Sequence, residues 1–316
     1  MTRSVEFLSP VDTAWLSMEE PTNQMVVNAV ITFDQPLELD RVLKVLEYRW
    51  LRFSRFGRRV VRPFLPLLRP YWEDDPNFSL EQHVSRLALP APGDSAALQA
   101  MVSDLISLPL DFSRPPWKFY LIENYGEGSA VLARIHHCLA DGMAQVAVLL
   151  AMTDLDPDAP LVPAEPADSP AAGGLLTELA REAAGSVDRM RRSADRAFNE
   201  VRGLIEEPSR GRELGEHGLG YGLAATRLLA RSADPRTQFK GKLGVLKKAA
   251  WSRPIPLSDV KLVKNNLGGT INDVLVSVLA GGLRRYLVAN ADSSAGAADV
   301  PEFRAAVPVN LRNESD

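Results

Sequence analysis

A run of β-branched and aliphatic residues, Val131-Leu132-Ala133-Arg134-Ile135, leads directly into His136-His137-Cys138-Leu139-Ala140-Asp141-Gly142, and this junction constrains the chain more than any other stretch. The run reads as a buried strand, with two imidazoles at its end and a carboxylate and a glycine in the turn beyond. Neighbouring strand side chains point to opposite faces, so His136 and His137 cannot both look into one cavity. One faces a site and the other a packing surface. Imidazole titrates nearest neutrality, which makes one of the pair a candidate general base; the competing reading is a hydrogen-bonded core histidine. The same divergence works against a metal centre. Only His83 and His217 remain elsewhere, beside a single cysteine, so no tetrahedral ligand set and no metal is expected.

Hydrophobic periodicity organises the rest. Residues 25–33 read as a strand, and 39–51 as an amphipathic helix with Asp40 as N-cap and Val42, Val45 and Leu46 inward. Residues 98–108 are a second helix. Residues 117–123 and 130–137 are two strands joined by a turn over 124–128, and 143–152 is an apolar helix. Five prolines between Pro157 and Pro170 then mark an extended linker. An apolar stripe at helical spacing (Leu176, Leu179, Ala183, Val187) follows within 175–205, its polar face of mixed sign. Helices over 259–264 and 272–289 and a strand over 303–309 complete the pattern. Three regions are expected: a first domain over 1–155, a linker and helical crossover over 156–245, and the start of a second domain over 246–316.

Charge and cysteine usage remove several classes. A net charge of −4 lacks the basic excess of a nucleic-acid binder, so no nucleic-acid partner is expected. The single Cys138 excludes a disulfide within the chain and fits a reducing compartment. Residues 1–20 carry Asp12, Glu19 and Glu20 without a signal-peptide core, and no stretch approaches the ~18 uninterrupted apolar residues of a bilayer span. A cytoplasmic protein is expected, with any contact to a membrane or lipid droplet peripheral. Residues 49–69 are the candidate surface for such contact: seven arginines and no acid, interleaved with Trp50, Phe53, Phe56 and Phe64. The alternative is that these arginines serve a helix-to-strand connection.

The stretch His136 to Gly142 resembles the HHxxxDG signature of the CoA-dependent acyltransferase superfamily, which includes chloramphenicol acetyltransferase, carnitine acyltransferases and peptide-synthetase condensation domains. Three further stretches narrow the resemblance to the bacterial wax ester synthase/diacylglycerol acyltransferase family. Pro109-Leu110-Asp111-Phe112-Ser113-Arg114-Pro115-Pro116-Trp117 is similar to its PLDxSRPLW segment, with Pro116 in place of Leu. Gly268-Gly269-Thr270-Ile271-Asn272-Asp273-Val274 is similar to GGTVNDV, and Leu8 to Leu16 matches the family's N-terminal start. The implied fold is α/β, a chloramphenicol-acetyltransferase-like two-domain acyltransferase whose second domain is incomplete here. The missing C-terminal half implies a fragment, or a subunit whose other half is supplied separately.

By this resemblance the chain passes a fatty acyl group from acyl-CoA, a co-substrate and not a bound cofactor, to diacylglycerol or a long-chain alcohol. His137 is implied as the general base, with His136 beside it in the catalytic motif. Asp141 is implied as structural, bonded to an Arg from far along the chain, and Arg312 stands at the expected place for that salt bridge. Gly142 would leave room for pantetheine, in a channel that the superfamily places between two domains. Pro109, Leu110, Trp117, Asn272 and Asp273 are expected at the substrate, Asn272 being either an oxyanion donor or a helix N-cap. Cys138 occupies a variable position of the motif and is not expected to be a nucleophile. Lys240, Lys242, Lys247 and Lys248 could meet CoA phosphates or form a solvated loop. No G-x-S-x-G elbow supports a hydrolase. Two rival readings are an acyltransferase for another hydroxyl, such as a glycolipid or polyketide, and a non-catalytic fragment that binds lipid.

Overall fold

The computed structural model describes residues 6–63, 69–140, 142–154, 156, 159–162, 239 and 241–290. In chain order they form β1 (Glu6–Phe7), α1 (Pro10–Ser17), β2 (Val26–Phe33), α2 (Leu39–Val45), β3 (Arg58–Val61), β4 (Tyr71–Asp74), β5 (Val84–Ala88), α3 (Ser95–Ser107), β6 (Trp117–Tyr125), β7 (Gly128–His136), α4 (Gly142–Leu150), α5 (Leu257–Leu267) and α6 (Ile271–Ala289). By contact the chain divides into two units: Met1–Arg210 with Leu243–Ala250, and Gly211–Lys242 with Trp251–Asp316.

The first unit is built around a four-stranded sheet in the order β2-β7-β6-β5, antiparallel except for the parallel β5–β6 pair. All nine residues of β7 are buried, as a strand covered on both faces requires. The period of two sorts its side chains. Val131, Ala133 and Ile135 join Trp117, Phe119 and Leu121 of β6 in one core, with Leu8, Leu16, Trp50 and Trp72. Ala130 and Leu132 join Tyr120 and Ile122 of β6 in the other, against Leu98, Val102 and Ile106 of α3. Gly128 opens β7 where an added Cβ would lie 2.0 Å from the Phe33 carbonyl oxygen of β2, so only glycine allows that approach. The hairpin is tighter than the sequence implies. Tyr125 pairs with Gly128, leaving a two-residue turn, with Asn124 in a left-handed conformation (φ 60°) at an irregularity in the ladder.

Helix starts follow side-chain chemistry in three cases. Ser9 Oγ accepts from Asp12 N–H (3.1 Å) ahead of α1, Asp94 Oδ1 accepts from Ala97 N–H (2.9 Å) ahead of α3, and Thr270 with Asp273 forms a reciprocal capping box on α6. The fourth corrects an expectation. Asp40 is not the N-cap of α2; Glu38 takes that position without a side-chain bond, and Asp40 lies in the first turn, where its charge faces the helix N-terminus. Helix α2 continues as a single wide π turn over Leu46–Trp50, closed by Leu51 N–H to the Leu46 carbonyl at 3.0 Å, which places Trp50 wholly in the core.

A smaller antiparallel sheet, β1-β4-β3, binds the N-terminal segment. It also accounts for the arginine-rich run. Arg55 pairs with Glu6 (3.1 Å) and Asp12 (3.5 Å), Arg58 with Glu6 (3.0 Å) and Asp74 (2.9 Å), Arg59 with Glu73 (2.9 Å) and Arg49 with Asp154 (2.8 Å). Arg62 and Arg69 donate to the carbonyls of Leu16 (3.2 Å) and Leu8 (2.6 Å). Acids distant in sequence neutralise a run that has none of its own. These six guanidiniums tie β1, α1, β4 and the segment after α4 to the helix-to-strand connection.

Residues 243–250 return to the first unit, so the expected second-domain start at 246 falls within a strap that packs on α3. Lys247 and Ala249 donate their N–H groups to Ser107 Oγ (2.8 Å) and Ser103 Oγ (2.9 Å), hydroxyls one helical turn apart. Lys247 Nζ donates to the Pro21 carbonyl (3.3 Å), an exposed contact with the segment ahead of β2. In the second unit α5 and α6 are the described elements, and Phe239 lies 5.7 Å from Tyr286, centroid to centroid. The linker at 157–170 (but for residues 159–162), the stripe within 175–205 and the strand at 303–309 lie outside the described residues.

Candidate active site

Strand β7 lies between β2 and β6 and delivers His136 as its last residue, with His137 one step beyond. Both backbones are fixed. His136 N–H donates to the Pro116 carbonyl (3.0 Å) and His137 N–H to the Met25 carbonyl (2.8 Å). The side chains then part, as strand alternation demands. His136 is fully buried, with the Phe112 ring edge-on at 5.1 Å. His137 is half-buried, and its ring is stacked on the Trp15 indole at 4.6 Å with 18° between the planes.

The state of His136 follows from its neighbours. Its Nδ1 accepts from Cys138 N–H (3.1 Å), which puts the proton of the neutral ring on Nε2. That nitrogen lies 3.4 Å from Glu19 Oε2, in ion-pair range but without hydrogen-bond alignment. Burial, reinforced by His137 and Arg62, pushes the His136 imidazole down to about 4, while burial holds the Glu19 carboxyl above its ordinary value against the Met25 N–H bond and Arg62. An ion pair would shift both groups the other way, so desolvation dominates and His136 is a neutral packing imidazole. Glu19 also accepts from Met25 N–H, and Met25 holds His137, so one half-buried carboxylate stands behind both histidines.

A pH dependence of stability follows. The His136 value is depressed on folding from 6.5 to about 4, so its contribution is present above pH 6.5 and is lost as pH falls toward 4, about 3 kcal/mol in all. Glu19, raised on folding, acts in the opposite sense and softens the slope. Denaturant midpoints measured between pH 7 and 4 should fall steeply in the parent protein. His136→Asn, which keeps an acceptor for Cys138 N–H but does not titrate, should flatten the profile; an unchanged slope would refute the assignment.

The loop after His137 is held from three sides. Leu139 N–H donates to the His136 carbonyl (3.1 Å), Arg55 reaches the Leu139 carbonyl (3.4 Å), and Gln145 Nε2 of α4 donates to the Ala140 carbonyl (2.8 Å). Cys138 is fully buried, and burial raises its thiol far above the range of a reactive thiolate. Gly142 begins α4, while Asp141 and Arg312, and with them their expected salt bridge, lie outside the described residues.

Other expected site residues divide. Trp117, expected at the substrate, lies in the core: it is 2% exposed, its indole N–H donates to the Phe56 carbonyl (2.8 Å), and its ring packs among Trp50, Phe119 and His83. Leu110 is buried and Pro109 exposed. Two other members of that segment meet the motif: Pro116, whose carbonyl accepts from His136 N–H, and Phe112, whose ring lies between His136 and the Arg62 guanidinium (5.5 Å from its centroid). Arg134, 1% exposed, fixes the segment's approach by donating to the Leu108 carbonyl (2.6 Å) and to Asn28 and Gln24 of the β2 side (3.2 and 3.1 Å). In the second unit Asp273 is committed to the capping box with Thr270. Asn272 stands exposed in the first turn of α6, so the N-cap role weighed for it belongs to Thr270. Among the described residues no cluster of three His, Cys, Asp or Glu side chains is placed to hold a metal ion, and no helix is long and apolar enough to cross a membrane.

Residues 8–275 match the family model described as the wax ester synthase/diacylglycerol acyltransferase catalytic domain. A Mycobacterium tuberculosis (strain H37Rv) protein named "Putative diacylglycerol O-acyltransferase" is 32% identical over 326 residues, covering 99% of this chain and 60% of its own length. A second protein of that strain, named as a probable diacylglycerol O-acyltransferase, is 28% identical over 316 residues, covering 98% of this chain and 62% of its own length. The chain thus spans about three-fifths of the length of these relatives. The solved wax ester synthase/diacylglycerol acyltransferase from Marinobacter aquaeolei VT8 superposes with a TM-score of 0.57 over 90% of this chain and 61% of that one, at 23% identity, a likeness of fold.

Proposed function

The chain belongs to the wax ester synthase/diacylglycerol acyltransferase family, and on that premise we propose that it moves a fatty acyl group from acyl-CoA to the hydroxyl of diacylglycerol or a long-chain alcohol, with His137 as general base. The observation that supports His137 is the division of labour at the end of β7: His136 is sealed in the core as a neutral ring, and His137 is half-buried beyond it.

A hydroxyl is a poor nucleophile at neutral pH, so its proton must leave as the C–O bond forms. His137 takes that proton, the acyl carbon passes from sulfur to oxygen, and the departing CoA thiolate recovers the proton from the imidazolium. Atoms and charges balance without an acyl-enzyme, consistent with a Cys138 thiol too buried to serve as one. For Asp141 and Gly142, later in the motif, the family pattern implies structural support and room for pantetheine.

The acceptor is settled by assay. Full-length protein is incubated with labelled oleoyl-CoA and, separately, dioleoylglycerol, hexadecanol and a glycolipid, with CoA release and lipid product both measured. CoA release matched by triacylglycerol or wax ester is expected. Release only with the glycolipid would favour the rival acceptor class, and acyl-CoA binding without release under any condition would favour a binding protein.

A further inference from the structure

The stack of Trp15 on His137 is the contact that the family chemistry leaves without a role. We propose that Trp15 is a positioning residue for the acyl transfer: its indole face holds the plane of the His137 ring and stabilises the imidazolium that forms there as the acceptor loses its proton. This inference rests on the reading of His137 as the base.

The geometry is built, not incidental. The rings lie 4.6 Å apart and 18° from parallel, a face-to-face approach that puts the negative face of the indole against the imidazole. A cation over such a face is stabilised more than the neutral ring, and most over Trp. A general base is neutral before the transfer and cationic during it, so the stack favours the transition state over the ground state, the condition for raising kcat and not merely binding. The helix that carries Trp15 is fixed at both ends. Ser9 caps its start, Leu16 is 2% exposed in the core, and Arg62 binds the Leu16 carbonyl (3.2 Å). Arg55 bridges this helix and the motif loop, pairing with Asp12 (3.5 Å) and donating to the Leu139 carbonyl (3.4 Å). One guanidinium therefore sets the distance between the two segments that supply the stacked rings. Among the described residues, the charged and titratable groups on the elements packed at the motif include Asp12 on α1, Arg55 and Arg62 from the connection into and out of β3, and His136 with Glu19 behind it.

The test uses Trp15→Phe, Trp15→Leu and His137→Ala in the full-length protein. Trp15→Leu keeps apolar bulk and removes the π face; it should lower kcat on the order of tenfold with KM within about twofold, and Trp15→Phe should recover most of that loss. A second readout addresses the contact itself. Protonated imidazole quenches indole emission, so the parent protein should show a quenching step on acidification that disappears in both Trp15→Phe and His137→Ala. Trp15→Leu with parental kcat beside an inactive His137→Ala would overturn the role of Trp15 while sparing the base, as would absence of the shared quenching step. An active His137→Ala would remove the base reading itself, and the role of Trp15 with it.

Discussion

His137→Ala in the full-length protein is expected to lower turnover by on the order of 10²–10⁴-fold, the range a positioned general base contributes. The substitution removes a half-buried ring whose backbone N–H to the Met25 carbonyl (2.8 Å) survives in alanine, so the strand end keeps its anchor. The structural loss includes the stacking contact with Trp15, about 1 kcal/mol. KM for acyl-CoA should change little, because proton removal belongs to the transition state and not to substrate binding. Steady-state CoA release and thermal unfolding of the same preparation check both halves. Turnover within about threefold of the parent would exclude His137 as the base.

Trp117→Ala is expected to destabilise the first unit by roughly 3–5 kcal/mol, the usual cost of emptying a large aromatic site. Its ring fills the junction of Trp50, Phe119, Phe78 and His83, and its carbonyl is bound by His83 Nδ1 (2.9 Å). Trp117→Phe retains much of the bulk and loses the indole bond to the Phe56 carbonyl (2.8 Å), so it should cost about 1–3 kcal/mol. Denaturant unfolding measures both, and turnover per folded molecule should be near parental in each. A Trp117→Ala protein that unfolds like the parent yet shows a raised KM would restore this residue to the substrate site.

Trp117 also marks where the sequence stops being legible. Strands β2, β6 and β7 and helices α3, α4 and α6 could be read because their apolar residues repeat at two or 3.6 positions over a long enough span. The four-residue β3 and β4 and the five-residue β5 are too short and too charged to produce a period, and β5 is placed by pairing with Phe119 to Glu123, 35 residues later. The two histidines could be separated by alternation alone, but not assigned: only the burial of His136 against Phe112 and Glu19 distinguishes the packing ring from the half-buried one. Trp15, Glu19, Arg55 and Gln145 carry no sequence signal as partners of the motif because each reaches it through folding. Glu19 is one of two adjacent acids, and Arg55 one of seven arginines, with nothing in linear spacing to mark either. Trp117 belongs to a motif segment, but the register of β6 on β7 pairs it with Ile135 and turns it toward the core.

On the proposed mechanism, the imidazole that ends β7 and the one just beyond it have separate duties, one for packing and one for proton transfer. The most direct measurement compares His136→Ala and His137→Ala in the full-length protein, scoring turnover per folded molecule against unfolding free energy. The account predicts that His137→Ala is folded and inactive, and that His136→Ala, which leaves Cys138 N–H without its acceptor and a void beside Phe112, loses several kcal/mol while its folded fraction still turns over. The reverse pattern, an inactive but fully stable His136→Ala beside an active His137→Ala, would contradict it.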